Sequence, residues 1–589
     1  MMEKRWAIKQ QGDPEIIRNL SQALNINRHL SNLLAQRGIY NFEQAKDFFR
    51  PQLEHLHDPF LMKDMEEAVN RIEKAISHGE KILVYGDYDV DGTTAVALVY
   101  SFLREMYEAV GFYIPDRYSE GYGVSEKGIN FAAEEGYSLI IALDCGIKAI
   151  RKVAYATERN VDFIIGDHHR PGDELPEAVA VLDPKRNDCE YPYKELSGCG
   201  VGFKLIQALA SRKGIPFENL HRYLDLVAIS IASDIVPITG ENRILAHYGL
   251  KHINSAPRPG VEAILRYSKI VRQTAEGSQG TTTPCYFNRE LNVSDLVFLI
   301  GPRINAAGRM ESGNNSVRLL ICETLEEAEE IGKQINDNNE ERRNLDAMTT
   351  REALGMIEGD KLATFAKATI VYNPQWHKGV IGIVASRLTE SYYRPTIVLT
   401  RSNGLITGSA RSIKDFDIYD AIDACSDLLE HFGGHKYAAG LSLREENLTA
   451  FQEKFERIVS ASITEEMLVP EIEIDAEINI GDINRKFFDI LKQFAPFGPG
   501  NMAPVFCSRK VTGSEDIRIV GNNHLKMSVG SQQARGFPVD AIAFGLGNHY
   551  ERIKNQEEFD ICYHIELNEW NGVSRLQLNI KDIKMAGKG

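Results

Sequence analysis

The chain has 589 residues, several times the roughly 100–150 of a typical domain, so two to four domains are expected. With 43% hydrophobic and 25% charged residues it has the composition of a folded globular protein, which excludes disorder as its default state. A formal net charge of −16 excludes a surface that is basic throughout, and with it duplex binding by bulk electrostatics, while leaving room for a local basic groove.

The eight cysteines (Cys145, Cys189, Cys199, Cys285, Cys322, Cys425, Cys507 and Cys562) form no C-x-x-C pair, and the start MMEKRWAIKQQGDPE lacks the apolar stretch of a signal peptide. A reducing cytoplasm and no structural zinc are therefore expected. No run approaches the roughly 20 apolar residues that a membrane span needs, so no membrane contact is expected. Residues 1–60 show helical spacing only and are expected to pack on the core.

The first strong element is KILVYG, Lys81 to Gly86, a short run of β-formers followed by the acidic loop DYDVDG and then by TTAVALVYSFLREM with helical character. The same order recurs in SLIIALDCG, where a strand ends at Asp144, in VDFIIGDHH, where one ends at Asp167, and in AVAVLDPK, where one ends at Asp183. Strands alternating with helices, such as the one expected from Ala149 to Glu158, imply right-handed βαβ units and a parallel sheet. Ligands of such sheets bind beyond the carboxyl ends of the strands, so Asp87, Asp89, Asp91, Asp144, Asp167, His168 and His169 should converge there. So many like charges repel one another unless cations neutralise them, which points to divalent metals held by carboxylates and imidazoles, as in two-metal phosphoryl hydrolysis. Taken singly, D-x-D is equally a solvated turn and Asp144 a helix cap. Cys145 is read as a small filler. Further on, the apolar run LDLVAISIAS leads into Asp234, a carboxylate that needs a partner or caps the turn.

Beyond this sheet, IPDRYSEGYGV offers Arg117 for a phosphate and Tyr122 for base stacking. GPRINAAGR places Arg303, Asn305 and Arg309 among small residues that let a nucleic-acid backbone come close, or else forms an ordinary turn with surface arginines. Residues 324–360 are highly charged and read as one long solvated helix bridging two domains, with a coiled coil as the alternative. NPQWHKGVIGIVASRLTE, LITGSARSIKDFD and HFGGHKYAAGLSL then indicate a second α/β domain, with His377 near a helix start and Gly433, Gly434 and His435 in a loop. After about Val469 the pattern shifts to short alternating segments that suggest a small β-barrel.

Taken in order, DYDVDG, LDCG, GDHH, SDIVPITGENR and GPRINAAGR resemble the DHH phosphoesterase superfamily, and within it the single-stranded-DNA-specific 5′→3′ exonucleases, from about residue 60 to the end. The superfamily also holds phosphodiesterases for nanoRNA and cyclic dinucleotides, manganese pyrophosphatases and a catalytically dead replication-helicase subunit; the intact acidic cluster points away from the last. The resemblance implies an α/β architecture: a parallel-sheet DHH catalytic domain over 61–323, a connecting helix over 324–360, a DHH-associated α/β domain over 361–468, and an OB-fold-like single-strand-binding barrel over 469–589. It implies that Asp89, Asp91, Asp144, His168 and Asp234 hold two Mn²⁺ or Mg²⁺ ions, with Asp144 bridging and Asp87 a further ligand or a close acid behind them. Asp167 would orient the imidazoles and His169 contact the scissile phosphate. Arg117 and Tyr122 would touch DNA near its 5′ end, Ser409 with Arg411 would hold a 5′ phosphate, and the GGH loop would face the metals across a cleft too narrow for duplex. The extra C-terminal region of some relatives is expected to be lacking. The implied activity is metal-dependent exonucleolytic degradation of single-stranded DNA to mononucleotides in repair and recombination, by a cytoplasmic monomer, with a single-strand-binding protein and a helicase as candidate partners. The rivals are a phosphodiesterase for short oligonucleotides and a non-catalytic replication scaffold.

Overall fold

The structure is a computed structural model that describes residues 3–272, 286–310, 313–359, 366–514, 516–530, 538–555, 557–570 and 573–585. Cys285 lies outside them; the seven other cysteines are buried free thiols. No helix of the described residues is long and apolar enough to cross a membrane. The chain forms two compact units, one of residues 8–336 with 473–589 and one of residues 337–472 with 1–7.

The larger unit is built on a five-stranded sheet in the order Val110–Tyr113, Lys81–Gly86, Tyr137–Leu143, Asp162–Gly166, Ala180–Leu182, all parallel. The strand runs are apolar almost without alternation because both faces are covered. Ile82, Val84, Leu139, Ile141, Leu143 and Ile164 enter one core with helices Met65–His78, Val90–Met106, Gly198–Lys213 and Leu224–Ser233. Leu83, Tyr85, Ile140, Ala142, Phe163 and Ile165 enter the other, with Ile129 and Ala132 of Glu126–Glu134 and Val153 and Ala156 of Ile150–Thr157. Four of these strands match the sequence reading; the short edge strand Val110–Tyr113 was not among those expected. Reversal of the strand order between the first and third strands in sequence makes the switch point at which open α/β sheets bind ligands.

The seven-stranded sheet of the same unit closes on itself through the pairs Thr512–Gly530 and Gly513–Val529, making a barrel from Ala476 to Met585. Its apolar interior is continued by the N-terminal helices: Leu20, Leu30, Leu33, Leu34, Ile39 and Ala45 share one core with Ile478, Phe487, Phe494 and Phe506. The N-terminal helices up to Phe49 thus bury their apolar face against the barrel, a partner some 430 residues away that helical spacing cannot name, while Leu53, Leu56 and Phe60 pack on the core of the parallel sheet.

In the other unit the sheet order is His431–His435, Ala438–Leu443, Leu405–Arg411, Thr396–Ser402, Thr369–Tyr372, antiparallel except for the last pair. Helix Leu448–Ser462 packs Phe451, Phe455 and Val459 into its core. The charged segment forms one helix, Leu325–Gly359, as its composition suggests.

Candidate metal and phosphodiester site

The register of the parallel sheet aligns Gly86, Leu143, Gly166 and Leu182, the last residues of four neighbouring strands. Each is followed by an aspartate, so Asp87, Asp144, Asp167 and Asp183 leave the sheet side by side, all buried. Asp144 turns through the left-handed region at φ 57, which few residues other than Asn, Asp and Gly adopt readily. Both oxygens of its carboxylate, and both ring nitrogens of His168, are buried without a hydrogen-bond partner among the described residues. Buried polar atoms are rarely left so, and here they face one another. His168 Nε2 lies 3.2 Å from Asp144 Oδ1, 3.5 Å from Asp234 Oδ2 and 3.6 Å from Asp91 Oδ2. Two overlapping sets of donors result, Asp144 with His168 and His169, and Asp91 with His168 and Asp234, each within 4.8 Å. Hard oxygen and imidazole donors packed this closely suit divalent cations such as Mn²⁺ and Mg²⁺. Asp87 and Asp89 lie outside these two sets. Asp89 caps helix Val90–Met106 through the Gly92 N–H, and Asp87 accepts the Tyr88 N–H on one oxygen while the other is free of partners.

Asp167 holds the histidine pair. Its Oδ1 accepts the backbone N–H of His168 and of His169 and the His169 Nδ1–H at 2.8 Å, and its Oδ2 accepts the Ile147 N–H. Burial alone would raise its pKa, but the bond and charge of His169 hold it down at about 2. Burial would likewise lower His169, yet its bond to Asp167 raises it to about 9, so this half-exposed ring is a cation at neutral pH. Its Nε2 lies 3.3 Å from the Tyr122 hydroxyl. Tyr122 meets Tyr88 edge-on, and the Arg117 guanidinium sits 4.9 Å from the Tyr88 ring centroid, so Arg117, Tyr122 and His169 surround one entrance.

The GPRINAAGR segment is a helix, Gly301–Met310, not a turn: it continues without a break from the π-helical stretch Leu296–Ile300 just ahead of Pro302, and Gly308 lets it close on Tyr88, whose carbonyl would lie 2.7 Å from an added Cβ. Helical geometry buries Arg303, which donates to the Leu299 carbonyl one turn back and to Asn336, contrary to its reading as an open phosphate contact. Arg309 and Asn305 remain half-exposed. In the other unit GGH is likewise not a loop but strand. Gly433, Gly440 and Ser409 pair in one row across three strands, and His435, Ala438 and Arg411 in the next row on the same face. Gly434, at φ 151, passes so close to Ala438 and Ala439 that a Cβ would lie 2.4 Å from the Ala438 carbonyl. Arg411 donates to Ser409 Oγ, Ser386 Oγ and the Ala410 carbonyl, and sits beside Gly382 at the start of helix Ile381–Tyr392, whose N-cap makes no side-chain bond. His377 lies in the turn before that helix, its Nδ1 accepting the Gly379 N–H.

Three domain families match the sequence: the DHH family N-terminal domain over residues 81–231, the DHHA1 domain over 364–461 and the RecJ OB domain over 474–582. Along 98% of its length the chain is 37% identical to the single-stranded-DNA-specific exonuclease RecJ of Bacillus subtilis strain 168, covering 70% of that protein. The chain belongs to the RecJ family. Crystal structures of RecJ from Thermus thermophilus in complex with Mn²⁺ and with Mg²⁺ superpose with TM-scores of 0.81 and 0.75 at 26% identity, each covering 99% of this chain, and 80% and 79% of theirs.

Within this RecJ-family site, the sequence reading does not single out Ser197, Gly198, Cys199 and Ser230. Asp91 is held by the start of helix Gly198–Lys213: the Gly198 and Cys199 N–H groups donate to it at 2.6 and 2.7 Å, and Ser230 Oγ donates at 2.7 Å. Helix N-termini carry unsatisfied N–H groups and a positive dipole end, so they stabilise a buried carboxylate. The signal existed in SGCGVG before an apolar run, where Ser197 caps the helix through Gly200. Asp183 is a further buried acid, pushed up to about 7 chiefly by burial.

Stripped of metal by a chelator, the protein should gain thermal stability as the pH falls from about 9 to about 7. Asp234, raised to about 8 by burial and by Asp91 and Asp89, and His169, raised to about 9, both take up protons in the folded state across this window. Their unfolded counterparts, with pKa values of roughly 3.9 and 6.5, hardly do. Protons bound only by the folded state stabilise it, so the sign is a rise on acidification, which saturating Mn²⁺ should remove. A melting temperature that stays flat in chelator over this range would show that the acid cluster is not protonated in the fold.

Proposed function

We propose that this protein is a metal-dependent exonuclease that hydrolyses single-stranded DNA from its 5′ end to mononucleotides, in DNA repair and recombination. The observation that carries this reading is the pair of overlapping donor sets that share His168, one of them containing the buried, unbonded oxygens of Asp144. Asp91, Asp144, His168 and Asp234 would hold the ions, with Asp89 and Asp87 closing the acidic rim. The chemistry that two divalent cations supply in such a site is activation of water for in-line attack on phosphorus and neutralisation of charge on the leaving oxygen. His169, cationic and fixed between Asp167 and Tyr122, would donate to the scissile phosphate, while Arg117 grips the strand beside it. Single-stranded DNA is the substrate, and a single-strand-binding protein and a helicase, which expose and present it, are the partners such a cytoplasmic monomer would use. Strands labelled at the 5′ or the 3′ end and incubated with Mn²⁺ should release label as mononucleotide early from the 5′ end and last from the 3′ end. Early release from the 3′ end would overturn the polarity.

Two-metal hydrolysis does not itself distinguish strand direction, so polarity needs a pocket for one terminus. Arg411 and Ser409, beside a glycine-lined row and an uncapped helix start, offer a fork of donors with little steric bulk. Charge-assisted bonds to a phosphate are worth roughly 1.5–3 kcal/mol each, so Arg411→Ala should cost at least about tenfold in kcat/KM on 5′-phosphorylated strands and less on 5′-hydroxyl strands. Equal losses on both would remove Arg411 from recognition of the terminus.

A further inference from the structure

We infer that the barrel loop at 493–501 sets the position of Asp234, so that the C-terminal barrel is part of the apparatus that holds the metal; this rests on the reading of Asp234 as a ligand. Asp91 takes three hydrogen bonds, but the Asp234 carboxylate accepts none from the described residues. Beyond the His168 ring, whose Nε2 lies 3.5 Å from its Oδ2, its aim is therefore set by its backbone. That backbone ends helix Leu224–Ser233 and runs at once into Ile235, a β-branched residue held at φ 60 and 69% exposed. Left-handed isoleucine is rare, and such conformations persist only where neighbouring structure holds them.

The segment that follows Ile235 is held on one side by Tyr193 and Asn242, which donate to the Pro237 carbonyl, and on the other by the barrel. The Ile238 N–H donates to the Pro499 carbonyl at 2.7 Å, and the fully buried Ile238 side chain lies so close to Gly498 that an added Cβ would stand 2.4 Å from its Cδ1. Gly500 faces Pro237 and Thr239 in the same manner. One turn into helix Gly240–Ser255, the buried Arg243 donates to the carbonyls of Gln493, Phe494, Ala495 and Pro496 and of Phe48, with its guanidinium 3.8 Å from the Phe48 ring centroid. On the far side Asn501 donates to the Phe494 and Pro496 carbonyls and accepts from Arg37. The loop is thus fixed from both sides, and the segment behind Asp234 is seated on it. Arg243, Gly498 and Ile238 are positioning residues: they touch no donor atom of the site and act through the backbone between Asp234 and Thr239.

The contact can be reversed by moving three carbons across it. Full-length protein, free of DNA, is titrated calorimetrically with Mn²⁺ as wild type, Asp234→Asn, Gly498→Val and Gly498→Val with Ile238→Ala, with melting temperatures and steady-state kinetics alongside. Gly498→Val should weaken Mn²⁺ binding by about tenfold, as loss of a group that orients a ligand does, and lower kcat with little change in KM. The double variant, which restores the volume, should recover most of both. If Gly498→Val does not fold, Arg243→Lys, which keeps the charge but not the fork of donors, is judged by the same affinity loss. Wild-type Mn²⁺ affinity in Gly498→Val, or a loss that merely tracks its melting temperature and is not recovered by Ile238→Ala, overturns the inference while Asp234→Asn binds weakly. Wild-type affinity in Asp234→Asn overturns instead the assignment of Asp234 as a ligand.

Discussion

Replacing Asp144 by Asn is expected to lower hydrolysis at saturating Mn²⁺ by more than about 100-fold, because groups that merely orient a metal ligand already cost 10–100-fold. Asn is the informative change: it keeps the shape and tolerates the φ of 57, which Ala would strain. Without metal the same substitution should raise the melting temperature. Burial, followed by the charges of Asp91, Asp89 and Asp234, lifts the Asp144 carboxyl well above its ordinary range, so the site is unfavourable to it until a cation arrives. Opposite signs for activity and stability distinguish a ligand from a residue of the framework. A variant that keeps a tenth of the wild-type rate would remove Asp144 from the site.

Gly198→Ala is expected to be nearly as damaging, although glycine bears no chemistry. A Cβ at this position would stand 2.6 Å from the Asp144 Cβ and 2.8 Å from its Oδ1, distances at which something must move. The helix start cannot easily yield, since the N–H groups of Gly198 and Cys199 are bonded to Asp91 and that of Gly200 to Ser197. Asp144 must therefore leave its place or Asp91 must lose its bonds, and either should cost about 10–100-fold in kcat/KM together with weaker Mn²⁺ binding. Activity within about twofold of wild type would mean that the acidic loops adjust freely, which the close packing of this core argues against.

How much of this was legible beforehand differs from residue to residue. Asp87, Asp144, Asp167 and Asp183 could be placed at strand ends because an apolar run closed by an acid is a local pattern, and a parallel sheet brings such ends to one edge. Proline and glycine suggest a turn around Arg303, whereas Pro302 lies within a continuous helical run, behind the π-helical stretch Leu296–Ile300, and the helical repeat carries Arg303 inward. GGH reads as a loop for the same reason, since glycine permits a turn but equally permits the close strand contact that Gly434 makes.

The order of the elements, the chemistry of the acidic loops and the need for cations follow from the amino-acid sequence by itself, because each depends on residue type and spacing within one strand and the loop after it. Only the tertiary structure decided which carboxylates stay open for a ligand. Asp91 meets a helix start more than 100 residues on, and the segment after Asp234 meets, through Ile238, a loop some 260 residues on; the N-terminal helices share the core of the barrel that carries this loop. No local pattern encodes such contacts. They arise when the apolar faces of separate elements are buried together, and burial then determines which polar groups find a hydrogen bond and which are left facing one another.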